Sequence, residues 1–297
     1  MHMFKKIMAA TLAGLMTIGM VGCGSDSSAT NETATETAVS AASTTAASAD
    51  TDLPESAKIS EIQQKGKLVL GTASGYPPFE FVSVENNGDV IGIDVELAQA
   101  IADKLGVELE VHDMAFSELV MSLSAGDTDI VIAGMPETEE RAEVVDFSEV
   151  YINDEQTIIV RAEDADKYTS LEDFEGKTVD VEMGASSETV ARDEMTGANV
   201  NALSLIADCF LELSQGKCDA VVTGMVVGKQ YVINNDSYAE LEDITFENKD
   251  KPTQACVAKG DEAFLGLVND VIKENQDNGN FDKWIDQYSE QASKEAN

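Results

Sequence analysis

The residue types that could do chemistry are few, and their spacing excludes most catalytic arrangements. His2 and His112 are the two histidines, so a zinc site built on paired histidines is excluded and a Ser-His-Asp triad would have to use His112. The four cysteines, Cys23, Cys209, Cys218 and Cys256, show neither C-x-x-C nor another ligand spacing. No G-x-G-x-x-G occurs, and no nucleophile–base pair is evident, so neither a metal nor a cofactor is expected. What remains is recognition chemistry. Arg141, in Thr138-Glu139-Glu140-Arg141, carries a planar fork that can donate two parallel bonds to a carboxylate. Thr138 is placed to cap a helix carrying Arg141, which turns free backbone N–H groups toward the same anion. Taken alone, Arg141 reads more simply as a surface arginine paired with Glu137 or Glu140.

Charge narrows the partners. The 297 residues include 56 acidic and 19 basic side chains, a net charge of −37. Phosphate backbones and anionic lipid surfaces are held by Lys and Arg, so general nucleic-acid binding is excluded and the charge argues against docking on lipid through a basic patch. At 43 % hydrophobic the chain can build a core, and its length suits one or two domains.

The amino terminus reads as an address. Lys5 and Lys6 precede an uncharged, mostly apolar run from Ile7 to Val21, too short and too interrupted to span a membrane convincingly. Met20-Val21-Gly22-Cys23 resembles the bacterial lipobox, which implies a signal peptide over 1–22 and an acylated Cys23; the alternative is an ordinary cleaved signal with an incidental cysteine. The stretch from Gly24 to Asp52 holds Ser, Thr, Ala, Asn and acids, with no Lys or Arg, and cannot bury enough surface to fold. A tether over 23–55 is expected, with an r.m.s. span of about 30 Å. Cys209, Cys218 and Cys256 read as small apolar core residues, with a Cys218–Cys256 bridge as the alternative.

From near Ser56 the chain alternates β-rich runs with amphipathic helices, which implies α/β architecture with mainly parallel sheets. Strands are expected over 67–71, 107–111 and 129–133, and again over 177–181, 200–203 and 219–223. Phe79 to Val84 and Val90 to Ile93 flank the hairpin turn Asn86-Asn87-Gly88. Asp94 is expected to cap a helix ending at Gly106, and helices over 117–124 and 206–215 stop at Gly126 and Gly216. Two stretches align at an offset of 90 residues: LSAGDTDIVIAGM from Leu123 and LSQGKCDAVVTGM from Leu213 share Leu, Ser, Gly, Asp, Val, Gly and Met. Duplicated architecture follows, with Gly134 and Gly224 ending equivalent strands. Ligands of open α/β sheets sit beyond such carboxyl ends, so two facing lobes make a cleft that closes on a small molecule. Phe281, Trp284, Ile285 and Tyr288 recur at helical spacing near the carboxyl terminus, so Trp284 reads as core.

Between about Lys67 and Tyr288 the sequence resembles the polar amino-acid family of extracellular solute-binding proteins of ABC transporters. The matching segments are GTASGYPPFEF, GDVIGIDVELAQAIADKLGV, AGMPETEERAEVVDFS, LEDFEGKTVDV and DNGNFDKWIDQY. The resemblance implies a two-lobed periplasmic-binding-protein-like fold. Lobe 1 would comprise residues 56–150 plus 253–297 and lobe 2 residues 156–247, joined by hinge strands near 151–155 and 248–252. It implies that Arg141 clamps a ligand carboxylate, and that Tyr76 and Phe116 are aromatic walls. It also implies that the Gly134 carbonyl meets a ligand ammonium and that Ser186 contacts the carboxylate from lobe 2. Ser186 and Ser187 equally suit plain helix capping. The implied protein is an extracytoplasmic, lipid-anchored monomer that passes its solute to a permease.

Three positions depart from that family. Pro136 stands where a Ser or Thr is usual, Gly224 where an acid binds the ligand ammonium, and Gly75 where another acid is common. Glu182, in Val181-Glu182-Met183-Gly184, is a candidate to replace the lost acid or to meet a cationic side chain, biasing the site toward a basic amino acid or amine. Glu118 and Glu137 are further candidates that read better as solvated. Two other classes stay open: a lyase on the same fold using Glu182 and Arg141, and a sensor signalling to a membrane receptor.

Overall fold

The computed structural model describes residues 53–296. The expected signal peptide, Cys23 and the tether as far as Asp52 lie outside the described residues.

Helix α1 (Ala57–Lys65) starts where the Ser56 hydroxyl accepts the N–H groups of Lys58 and Ile59, and stops at Gly66 in the left-handed region. Strand β1 (Lys67–Thr72) leads to the hairpin β2 (Phe81–Val82) and β3 (Val90–Ile91), then to α2 (Ile93–Leu105) and β4 (Glu108–Asp113). A 3-10 turn, Phe116–Glu118, leads into α3 (Leu119–Ala125), followed by β5 (Ile130–Val131), α4 (Glu139–Ala142) and β6 (Val145–Arg161). The second half runs β7 (Thr178–Glu182), α5 (Ser186–Glu194), β8 (Asn199–Leu203), α6 (Ile206–Ser214), β9 (Ala220–Gly224), α7 (Met225–Asn234) and β10 (Tyr238–Glu240). Strand β11 (Asp250–Ala258) returns the chain to α8 (Glu262–Asp277) and α9 (Asn280–Glu295).

The strands lie in the order β4-β1-β5-β11-β6-β9-β7-β8, with β10 on β6. Strand β1 is parallel to β4 and β5, and β7 is parallel to β8 and β9. Each lobe is thus a parallel trio with an antiparallel neighbour, β11 in one and β6 in the other. The 17-residue β6 pairs with β11 over its first part and with β9 and β10 over its second, so it belongs to both lobes. Beside it, β11 crosses with Lys251 opposite Asp154 and Pro252 opposite Asn153.

The duplicated segments are equivalent in their hydrogen bonds. Gly126 caps α3 and donates to Leu123, and Gly216, one residue past the α6 cap Gln215, donates to Leu213. The Asp129 N–H donates to the Val69 carbonyl while its carboxylate accepts the Val69 N–H at 3.0 Å. Asp219 makes the same two bonds with Thr178, the second at 2.9 Å. Each aspartate locks the edge of its strand to the central strand of its lobe. The two differ in surroundings: Asp129 is buried and also receives Lys58 at 2.6 Å and Lys65 at 2.8 Å, whereas Asp219 has Arg161 and Lys177 only at 3.9 Å.

Two expectations are corrected. Asp94 does not cap α2; the cap is Gly92, and the Asp94 side chain turns inward to accept from Gly134 N–H at 2.7 Å and Tyr151 hydroxyl at 2.9 Å. A buried carboxylate gains more from these fixed donors than from its own helix end. The Cys218–Cys256 alternative is not formed. Cys209, Cys218 and Cys256 are free and buried, and Cys256 Sγ lies 3.7 Å from the Met135 sulfur.

Replacing Asp129 or Asp219 with alanine strips a backbone N–H of its acceptor, at about 1–3 kcal/mol each. Asp129→Ala should cost more, because two lysines lose their partner as well. Urea unfolding of both variants checks the order; equal losses would contradict it.

Candidate functional site

The equivalent strand ends of the two lobes meet on one phenol ring. Gly134 follows β5 with φ of 50°, and a Cβ there would stand 3.1 Å from Tyr76 Cε1. Gly224 closes β9, and its N–H donates to the Tyr76 hydroxyl at 3.2 Å. A Cβ on Gly224 would lie 2.7 Å from that hydroxyl and 2.5 Å from Asp154 Oδ2. A side chain at 224 would push the lobes off the ring, and one at 134 would crowd it from a left-handed backbone, so glycine suits both positions.

Strand β11 brings Lys251 to this junction, 4 % exposed. Its ammonium donates to the Gly134 carbonyl at 2.5 Å and lies 5.1 Å from the centroid of the Tyr76 ring. Opposite it on β6, Asp154 Oδ1 accepts the N–H groups of Glu155 and Val226, while Oδ2 has no partner. The carboxylate of Asp154 therefore stands where an acid at position 224 would begin. Neither Lys251 nor Asp154 was singled out from sequence.

Three more carboxyl groups face the same ammonium. Glu182 ends β7 and is buried; desolvation lifts it from its ordinary 4.5 to about 7, against the opposing pull of Lys251 and of the Ile206 N–H. Burial raises Asp94 to about 6, opposed by its bonds to Gly134 and Tyr151. Burial, with Asp94 beside it, raises Glu80 well above the carboxylate range, and Glu80 Oε2 has no partner. Burial also raises Asp154. For Lys251 burial works downward, but Tyr76, Asp154 and Glu80 outweigh it and hold the ammonium above its ordinary value.

Arg141 lies at the lobe boundary. Thr138 caps α4 by accepting the Arg141 N–H at 3.2 Å, as expected of it. One guanidinium nitrogen donates to the Pro136 carbonyl and another to the Gly184 carbonyl beyond β7, each at 2.7 Å, so one side chain ties the two lobes together. The guanidinium lies 5.3 Å from the centroid of the buried Phe116 ring and forms no ion pair with Glu137 or Glu140. Ser186 opens α5 rather than preceding it, the cap being Ala185, and its hydroxyl accepts from Gln156 Nε2 at 2.8 Å. Tyr76 and Phe116 are both buried and belong to different hydrophobic clusters. Glu118 and Glu137 are exposed, and His112 pairs with Glu110 on β4, at the sheet edge. Among the described residues no three His, Cys, Asp or Glu side chains are placed to share a metal ion.

Residues 68–291 match the family model of bacterial extracellular solute-binding proteins, family 3. The chain belongs to this family. The arginine-binding extracellular protein ArtP of Bacillus subtilis is 33 % identical over 221 residues, 74 % of this chain and 84 % of that protein. A crystal structure of the amino acid ABC transporter substrate-binding protein AbpA from Streptococcus pneumoniae, bound to L-arginine, has a TM-score of 0.76 at 32 % identity and covers 78 % of this chain and 98 % of that one. The ancestral amino acid-binding protein AncCDT-1, a precursor of cyclohexadienyl dehydratase, has a TM-score of 0.71 at 33 % identity, covering 77 % and 98 %.

This solute-binding protein has the two-lobed fold of its relatives and acts outside the cytoplasm, binding small solutes for ABC transport. Among its described residues no helix is long and apolar enough to cross a membrane.

The raised Glu182 gives a pH test. The folded protein keeps that proton to about pH 7, whereas the unfolded chain releases it near 4.5. Its contribution is therefore full below pH 4.5 and lost as the pH rises through 7. Glu182→Gln should gain on the wild type across this window, by a difference on the order of 3 kcal/mol. Urea unfolding of both proteins at either end of the window measures it; a pH-independent difference would contradict the buried, protonated Glu182.

Proposed function

We propose that this protein captures a small carboxylic acid bearing a cationic, donor-rich group, with basic amino acids as the first candidates, and delivers it to an ABC permease by closure of the two lobes. The reading rests on one observation above the rest. Asp154 Oδ2 and Gln156 Oε1 are buried near the lobe junction without partners, and both are acceptors. Acceptors kept from water call for donors, and with Glu182 beside them an ammonium or guanidinium fits best. The arginine-bound relatives lend this support.

In this reading lobe 1 comprises residues 56–150 and 253–297, lobe 2 residues 156–247, and the paired segments of β6 and β11 between them are the hinge. Arg141 has five N–H donors, of which two are bonded to carbonyls, so it retains donors for the solute carboxylate. Phe116 backs the guanidinium, Tyr76 and Gly134 form the floor, Thr138 fixes α4, and Ser186 and Glu182 approach from lobe 2. The protein works as a monomer, without catalysis, held to the membrane through acylated Cys23 after removal of residues 1–22. Acyl chains acting together give firm anchoring.

Thermal unfolding with L-arginine, L-lysine, L-glutamine and L-glutamate tests the charge preference. A basic amino acid at 1,000 times its Kd should stabilise the fold by about 4 kcal/mol, several degrees in Tm. Arg141→Ala should weaken that binding by about 100-fold, the loss of a charge-assisted pair. A response confined to L-glutamate, or one indifferent to Arg141→Ala, would overturn the reading. For the anchor, Cys23→Ala should abolish palmitate labelling and release the chain from the membrane fraction; continued labelling would refute it.

A further inference from the structure

An account in which the solute brings the cation leaves Lys251 without a part. A buried lysine is costly unless its ammonium is held, and here the holding groups are specific: the Gly134 carbonyl at 2.5 Å and the face of Tyr76 at 5.1 Å. Asp154 Oδ2 and Lys251 Cδ both crowd the point where a Cβ on Gly224 would stand, at 2.5 and 3.3 Å, and that oxygen has no partner. A carbonyl and a ring face hold the ammonium, and the bare Asp154 oxygen stands beside the lysine's aliphatic stem, outside ion-pair distance of the nitrogen, which makes an ammonium-binding position. It lies at the lobe junction, because Gly134 follows a strand of one lobe and Tyr76 bonds Gly224 of the other.

This position is close to the clamp. Arg141 bonds the carbonyl of Pro136 and Lys251 that of Gly134, two residues away in the same loop, a span of at most about 7 Å. An α-amino acid held by its carboxylate at Arg141 would present its ammonium to the same loop, where Lys251 already holds the Gly134 carbonyl.

We infer that Lys251 is the resident occupant of an ammonium-binding point in the solute site, and that it determines specificity by disfavouring solutes with an ammonium beside the carboxylate. This rests on the proposed function, keeps its cation-bearing carboxylic acid, and turns the preference from the basic amino acids named there to their des-amino counterparts. The preferred solute is an ω-guanidino or ω-amino carboxylic acid, its cation directed toward Glu182 and its α-carbon uncharged. Lys251 reaches the point from β11, so the discrimination is built into a crossing strand.

Calorimetric titration of the full chain with L-arginine and with its des-amino counterpart, 5-guanidinopentanoate, tests this. The wild type should bind 5-guanidinopentanoate at least 10-fold more tightly than L-arginine; Lys251→Met, which removes the charge but still fills the point, should narrow that ratio, and Lys251→Ala, which vacates it, should reverse the order. A second readout works without a known solute: Lys251→Ala should be raised in Tm by ethylammonium chloride, relative to sodium chloride at equal ionic strength, and the wild type should not. An unchanged ratio in Lys251→Met, or no ethylammonium response in Lys251→Ala, overturns the inference. If all three proteins ignore both guanidino acids while ethylammonium stabilises Lys251→Ala, the resident ammonium stands and the proposed function falls.

Discussion

One buried ammonium faces four buried carboxyl groups, and the rest of the junction is arranged around that imbalance. Lys251 cannot neutralise Glu80, Asp94, Asp154 and Glu182 together. Like charges removed from water raise one another's pKa until some hold protons. Asp94 meets the constraint with fixed donors, the Gly134 N–H and the Tyr151 hydroxyl. Asp154 meets it halfway, with one oxygen bonded and the other bare. Glu182 has the Ile206 N–H and a raised pKa. A junction short of cations among its own side chains is suited to receiving one.

Duplication supplies the frame for this chemistry. Each half builds the same corner: a helix stopped by glycine, an aspartate stitched to the central strand, and a strand ending toward the other lobe. Strands β6 and β11 turn the halves to face each other, and Tyr76 fills the space between Gly134 and Gly224. Arg141 then bridges the lobes through two backbone carbonyls. The groups that could grip a carboxylate and those that could receive a cation thus belong to the same boundary.

Much of this was legible in the sequence because the signals were local. The 90-residue offset, the stops at Gly126 and Gly216 and the cap at Thr138 each depend on a few neighbouring residues, and the structure carries all of them. Arg141 was legible through the segment containing it. The groups at the centre were not. Asn153-Asp154-Glu155 and Lys249-Asp250-Lys251 have the composition of solvated turns, and only the long-range pairing of β6 with β11 turns Asp154 and Lys251 inward. Asp94 looked like a helix cap because nothing nearby announces the Gly134 N–H, 40 residues away. Helix α7 escaped notice because Gly228 interrupts its pattern; that glycine is there to let the helix press on Thr157 and Ile159, where a Cβ would sit at 2.8 and 3.0 Å. Departures from the usual pattern at Gly224 and Gly75 were visible, but that a carboxylate from a crossing strand fills the space at Gly224 required coordinates.

The central claim is that a cationic group enters among buried carboxyls, one of which holds its proton until about pH 7. Counting protons during binding tests it most directly. L-arginine is titrated into the protein at pH 7 in two buffers of different ionisation enthalpy, and the difference in heat gives the protons exchanged. The account predicts net release as Glu182 ionises to meet the incoming charge. Binding with equal heats in both buffers, or with proton uptake, would contradict it.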